Sequence, residues 1–172
     1  VIDCRPGKRG YPKHATKTWG RRSILEIDYL LGHYTGNSTP FIGDARFHVG
    51  SDYLDEGGAP ALAYTGGVEK NGDILVFNDW WDVTWHCDGG FNTRSLGFVF
   101  LGGEEGPTPA QKKALQWLVT ALRTGTFKLP GEAAWPAMNF PLTTHRHVRA
   151  TSCPGAKGEA FYRTLGRFTA TP

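Results

Sequence analysis

The stretch Thr144–Gly155, Thr-His-Arg-His-Val-Arg-Ala-Thr-Ser-Cys-Pro-Gly, constrains this 172-residue chain more than any other. It holds two of the six histidines and one of the three cysteines. His and Cys are the side chains that best bind zinc. The span from His145 to Cys153 exceeds one helical turn, so a metal shared by the two requires a loop that folds one back on the other. A closed structural zinc site needs four ligands and is signalled by paired spacings such as C-x-x-C, which this chain lacks. A catalytic site needs three protein ligands and one open position. The fold must then deliver a third ligand from elsewhere.

His33 is a candidate for that ligand. It ends the apolar run Ile24–Tyr34, just before Gly36-Asn37-Ser38, and sheet enzymes place reacting groups at such strand ends. His14, His48, His86 and His147 compete for the same role.

The run Ile24–Tyr34 predicts a buried strand. Thr39-Pro40 reads as an N-cap and a first-turn proline, opening a short helix through Ala45, Phe47 and His48. Asp55–Pro60 reads as a loop, Ala61–Val68 as a second strand, Lys70–Asp73 as a hairpin turn with Asn-Gly at its tip, and Ile74–Phe77 as the return strand. Val83–His86 is a short extended piece and Ser95–Leu101 a central strand. Thr108-Pro109 repeats the cap signature ahead of an amphipathic helix. That helix has Ala114, Leu115, Leu118, Val119 and Leu122 on one face and Gly125 just past its end. Residues 126–143 form a Pro- and Gly-rich connection, and Pro154–Phe168 reads as a last helix. The interleaving predicts one α/β domain with a central mixed sheet flanked by helices.

The net charge of +3 conceals an asymmetry. Residues 1–22 carry seven Lys and Arg against Asp3 alone. They read as an irregular, solvated basic arm ahead of a domain spanning 23–172, or as an arm that touches an anionic polymer. The aromatic spacing of a nucleic-acid module is absent, so no nucleic-acid partner is expected. No run approaches the ~20 apolar residues of a membrane span. The opening residues lack an apolar signal core, which predicts a protein cytosolic where it is made. With Cys153 a ligand, Cys4 and Cys87 remain, free or paired.

Several pieces, in order, resemble the zinc-dependent N-acetylmuramoyl-L-alanine amidases of amidase type 2, the group that includes amidase-type phage lysozymes and animal peptidoglycan recognition proteins. They are His33 within Gly-His-Tyr-Thr, Ala63-Tyr64-Thr65 with Gly72 beyond, Thr84-Trp85-His86, Phe91-Asn92 before Ser95-Leu96-Gly97, Thr108-Pro109-Ala110-Gln111, and His145-x7-Cys153-Pro154-Gly155. Together they span about residues 24–166.

The resemblance implies one zinc ion on His33, His145 and Cys153 at an edge of the sheet, within a substrate groove. Bound water would fill the fourth position, acidified toward a pKa of ~7. The implied substrate is the amide between N-acetylmuramic acid and L-alanine in bacterial peptidoglycan. Tyr64 falls at the family's catalytic tyrosine and is assigned orientation and electrostatic help, because a phenol of pKa ~10 is a poor base. Thr151 stands where some phage members carry lysine, giving a hydroxyl in place of a cation. His147 stands where Asp is common. Trp85, His86 and Asn92 are expected to contact substrate, Asn92 alternatively holding a turn.

A monomeric phage endolysin, waiting in the host cytoplasm until release to the wall, fits this set best. The alternatives are a peptidoglycan-binding module that does not cut, or a zinc endopeptidase. The chain lacks the H-E-x-x-H helix of the common metalloproteases.

Overall fold

A computed structural model describes residues 1–53 and 57–170. In chain order the strands and helices are β1 (Ile2–Asp3), β2 (Gly20–Arg21), β3 (Tyr29–Tyr34), α1 (Phe41–Val49), β4 (Gly66–Val68), β5 (Ile74–Val76), β6 (Asp82–Val83), α2 (Phe91–Arg94), β7 (Ser95–Phe100), α3 (Pro109–Thr124), β8 (Leu142–Thr144), α4 (His145–Val148) and α5 (Gly155–Arg163). Six strands form one mixed sheet in the order β1-β5-β4-β7-β3-β8, and β2 pairs with β6 separately. Only β4 and β5, joined by the Asn-Gly hairpin, run antiparallel within the large sheet. The α/β class with helices flanking a mixed sheet is the one the sequence pattern predicts.

Both faces of the sheet are covered, which is why its central strands read as unbroken apolar runs. On β7, Leu96, Phe98 and Phe100 point to one face and pack with Leu115, Leu118 and Leu122 of α3 and Tyr162 of α5. Val99 points to the other face and packs with Phe41 and Ala45 of α1, Leu62 and Phe77. His33 lies level with Val99 across the parallel β3–β7 pair, so it faces the α1 side.

Four of the boundaries that differ from expectation do so for a local reason. The strand expected from Ile24 begins at Tyr29, because Glu26 reaches back to accept from the Ser23 amide at 2.7 Å and closes a 3-10 turn over Ile24–Glu26. Pro40 occupies the cap position of α1, so the helix starts one residue later than Thr39-Pro40 implied. Residues 61–65 do not join the strand that begins at Gly66. The Asn78 side-chain amide donates to the carbonyls of Leu62 (2.6 Å) and Tyr64 (2.7 Å), bonds a neighbouring strand would otherwise make. The last helix ends at Arg163, and the left-handed Gly166 (φ 73°) turns the chain so that Phe168 bridges Leu142. Within the loop expected at Asp55–Pro60, positions 55 and 56 lie outside the described residues.

The N-terminal segment is not a solvated arm. β1 pairs in parallel with β5, and Cys4 and Tyr11 are buried. Buried Arg22 donates to the carbonyls of Trp80, Asn92, Thr93 and Ser95. Its Nε and Nη1 are thus engaged by backbone oxygens before β6 and at the approach to β7, while Nη2 is buried without a partner among the described residues. Cys4 and Cys87 are free thiols.

Candidate metal centre

Parallel pairing of β3 with β8 sets Gly32 opposite Thr144, so the next residue on each strand, His33 and His145, emerges side by side. Their ring centroids are 4.7 Å apart. The chain then makes the one-turn α4 and loops back. The amide of Arg146 donates to the carbonyl of Cys153 at 2.9 Å, which closes the loop. One potential ligand atom from each of His33, His145 and Cys153 lies within 4.8 Å of the others. Among the described residues these three form the one His/Cys/Asp/Glu cluster of metal-binding geometry. His14, His48, His86 and His147 stand outside it.

The donor set suits a metal atom by atom. His86 Nε2 faces the carbonyl oxygen of Ser95 at 3.3 Å and must donate to it. Its Nδ1 therefore accepts, and His33 Nε2–H is the donor at 3.1 Å. That leaves the His33 Nδ1 lone pair facing Cys153 Sγ at 3.6 Å. His145 Nε2 is buried with no hydrogen-bond partner, an orphan that costs free energy unless something binds it. The Tyr34 amide points at Cys153 Sγ at 3.4 Å and would stabilise a thiolate.

Burial keeps these groups uncharged when no metal is bound. It holds His33 well below the usual histidine range, with His145 and His86 adding to the effect. It lowers His145 to about 4 and raises the Cys153 thiol to about 12. Neutral imidazole is the ligating form, and a metal cation displaces the thiol proton on binding.

His86 is the correction among the predicted substrate contacts. It is 5% exposed and lies behind His33 rather than in a groove. There it fixes the His33 tautomer, a supporting role typical of the shell around a metal ligand. Gly97 makes room for it, since a Cβ there would come within 2.6 Å of His86 Nδ1. Trp85, on the opposite side of the same extended segment, is half-buried and packs edge-on against Trp19 at 5.6 Å. Asn92 holds a turn: its Oδ1 accepts from the Cys87 amide at 2.9 Å.

Tyr64 meets the His33 ring edge-on at 5.3 Å. Burial, with Cys153 adding to it, pushes the phenol well above its ordinary value. Thr151 Oγ1 accepts from the Cys153 amide at 3.3 Å and so shapes the ligand loop. His147 turns away to α5, where its Nε2 meets Glu159 at 3.0 Å.

The family model for N-acetylmuramoyl-L-alanine amidase matches residues 23–156, and the chain belongs to that family. No curated protein matches it. Among solved structures, bumblebee PGRP-SA is similar with a TM-score of 0.75 and 18% identity, over 99% of this chain and 98% of that one. The endolysin N-acetylmuramoyl-L-alanine amidase LysCS from Clostridium intestinale has a TM-score of 0.67 and 21% identity, over 95% and 94%. Peptidoglycan recognition protein-LE, solved with a monomeric diaminopimelic acid-type peptidoglycan, has a TM-score of 0.77 and 19% identity, over 98% and 96%. At these identities the likeness establishes the fold.

Proposed function

We propose that this protein is a zinc-dependent amidase that hydrolyses the bond between N-acetylmuramic acid and L-alanine in bacterial peptidoglycan. The observation that carries the reading is the convergence of His33, His145 and Cys153, with Cys153 retained as the third ligand. A pure recognition module has no need of a buried thiol beside the buried His33 ring and the buried Nε2 of His145. The ligand set is the tridentate one that leaves a position open.

A zinc ion bound there supplies Lewis acidity and an acidified water nucleophile at neutral pH. The chain's residues do the rest. His86 holds His33 in the tautomer that presents Nδ1. Tyr64, kept as a neutral phenol, acts as a hydrogen-bond donor to the oxyanion formed when the amide is attacked, not as a base. Thr151 adds a neutral hydroxyl where a cation would have given full charge. The likeness to an endolysin of the same family supports a lytic role at the end of a phage cycle, with the protein held in the host cytoplasm until it reaches the wall. Among the described residues no helix is long and apolar enough to cross a membrane. The protein is proposed to act as a monomer.

Digestion of defined muropeptides with product identification tests the reading. The expected products are a free lactyl carboxyl and an N-terminal alanine. A new amine within the stem peptide would identify an endopeptidase, and intact wall with retained binding a recognition protein. Cys153→Ser is expected to lose both bound zinc and hydrolysis. A Cys153→Ser protein that still releases amino groups from purified wall would sink the mechanism.

A further inference from the structure

We propose that the cleft built by residues 13–21 is an anion-binding subsite for a phosphodiester-linked glycopolymer of the bacterial wall. The choice of a wall polymer rests on the amidase reading above; the charge of the cleft does not. The cleft has a volume of about 530 Å³, and Lys13, His14, Lys17, Trp19 and Arg21 face it, with Asp82 as the single acid lining it among the described residues. Asp82 is 9% exposed and is already engaged, accepting from the Asp79 amide at 3.0 Å. Arg21 approaches it only to 3.5 Å, with most of its own side chain in solvent. Lys13 is exposed and has no ion-pair partner among the described residues.

The cations stand on a fixed frame. His14 Nδ1 accepts from the amides of Thr16 (3.1 Å) and Lys17 (3.0 Å), while its Nε2 donates to the Gly57 carbonyl at 3.1 Å. The His14 amide donates to the Pro60 carbonyl at 2.9 Å. Lys17 Nζ donates to the Gly58 carbonyl at 2.7 Å and lies over the Trp85 ring. Ordering entropy is therefore settled on folding rather than on binding.

Three features select the ligand. Lys13, Lys17 and Arg21 recur every four residues along a non-helical segment. At roughly 3.3 Å per extended residue they can lie up to ~13 Å apart, a row that matches repeated charges better than one anion. The cleft also adjoins the candidate centre. The Trp19 indole donates to Asn78 Oδ1 at 2.6 Å, and the amide of the same Asn78 donates to the Tyr64 carbonyl at 2.7 Å. Nucleic acid is disfavoured, because the nearby tryptophans are already taken. Trp19 and Trp85 pack edge-on, and Arg21 covers Trp81. Rings that already have partners offer less face on which bases could stack.

The test is co-sedimentation of the metal-loaded protein with whole walls, with walls stripped of phosphodiester polymer by hydrofluoric acid, and with duplex DNA. Wild type is compared with Lys13→Glu/Arg21→Glu. A Lys13→Gln/Arg21→Gln protein serves if charge reversal prevents folding. Charge reversal should weaken binding to whole walls by about three- to tenfold. Stripping should weaken wild type by a similar factor and leave the variant unchanged. Equal binding of variant and wild type to whole walls would overturn the subsite, as would equal losses for both on stripping, or tighter wild-type binding to DNA than to walls. Cleavage of a soluble muropeptide by wild type, followed in parallel, separates failure of the subsite from failure of the amidase reading.

Discussion

Tyr64 and His86 approach His33 from two sides and are expected to fail differently. The Tyr64 phenol has no hydrogen-bond partner among the described residues, so its donor is available to substrate. Tyr64→Phe should lower kcat by about 10²–10³-fold, as loss of one oxyanion donor does, with zinc content unchanged. Steady-state kinetics beside metal analysis checks this, and wild-type kcat would remove Tyr64 from the chemistry. His86→Ala should instead weaken zinc binding by roughly 10–100-fold, the usual cost of removing a group that orients a ligand. Competition against a chelator reads that out. The three residues of the candidate centre were legible through the ordered pieces that resemble the family, since residue type and ligand count alone left His14, His48, His86 and His147 competing with His33. The role of His86 was not, although a signal for it existed. Trp85 and His86 are neighbours on an extended segment and must face opposite ways, so both could not line one groove.

At the scale of elements, α4 is a single turn that has no stability of its own. It is held from outside. The Glu159 carboxylate on α5 takes Arg146 at 3.0 Å, His147 at 3.0 Å and Arg163 at 2.6 Å. Arg149 pairs with Asp88 at 3.2 Å. The acid missing at position 147 is thus met by one on the facing helix. Glu159→Gln should cost about 1–2 kcal/mol, given a partly exposed network, and should weaken zinc binding because His145 begins that turn. Urea unfolding and chelator competition measure the two effects, and an unchanged zinc affinity would reduce Glu159 to a surface clamp. The longer elements could be read ahead of the structure because their ends are written in local chemistry. Thr108 caps α3 through the Gln111 amide, and Gly125 ends it with φ 67°. The extent of the strand before Gly66 could not be read, because Asn78, well downstream, decides it. The packing of residues 1–22 was equally hidden, since β1 contributes only two residues to the sheet and Arg22 is held through Nε and Nη1 by carbonyls that no sequence pattern marks.

For the molecule as a whole, buried histidines tie stability to pH. Burial lowers His48 from 6.5 to about 4, and its Nδ1 accepts from the Ala63 amide at 3.0 Å. Between those values the unfolded chain takes up a proton that the folded one refuses. Stability should therefore be full above pH 6.5, fall as the pH drops toward 4, and lose nothing further from this residue below that. In metal-free protein His33, His86 and His145 act in the same direction. His48→Asn should make the slope of unfolding free energy against pH shallower by up to about 1.4 kcal/mol per unit, one proton's worth. Urea titrations at several pH values test it, and an unaltered slope would mean that His48 does not titrate on unfolding. The pairing of β3 with β7 and β8 has a further consequence, for the order of events in folding. His33 and Cys153 are 120 residues apart in the chain, and both strand pairs flanking β3 are parallel and distant in sequence. Contacts of that kind form late. On the zinc reading proposed above, the ion would not act as a nucleus around which the polypeptide gathers; it would enter a pocket the sheet has already closed, and metal uptake should lag the recovery of secondary structure.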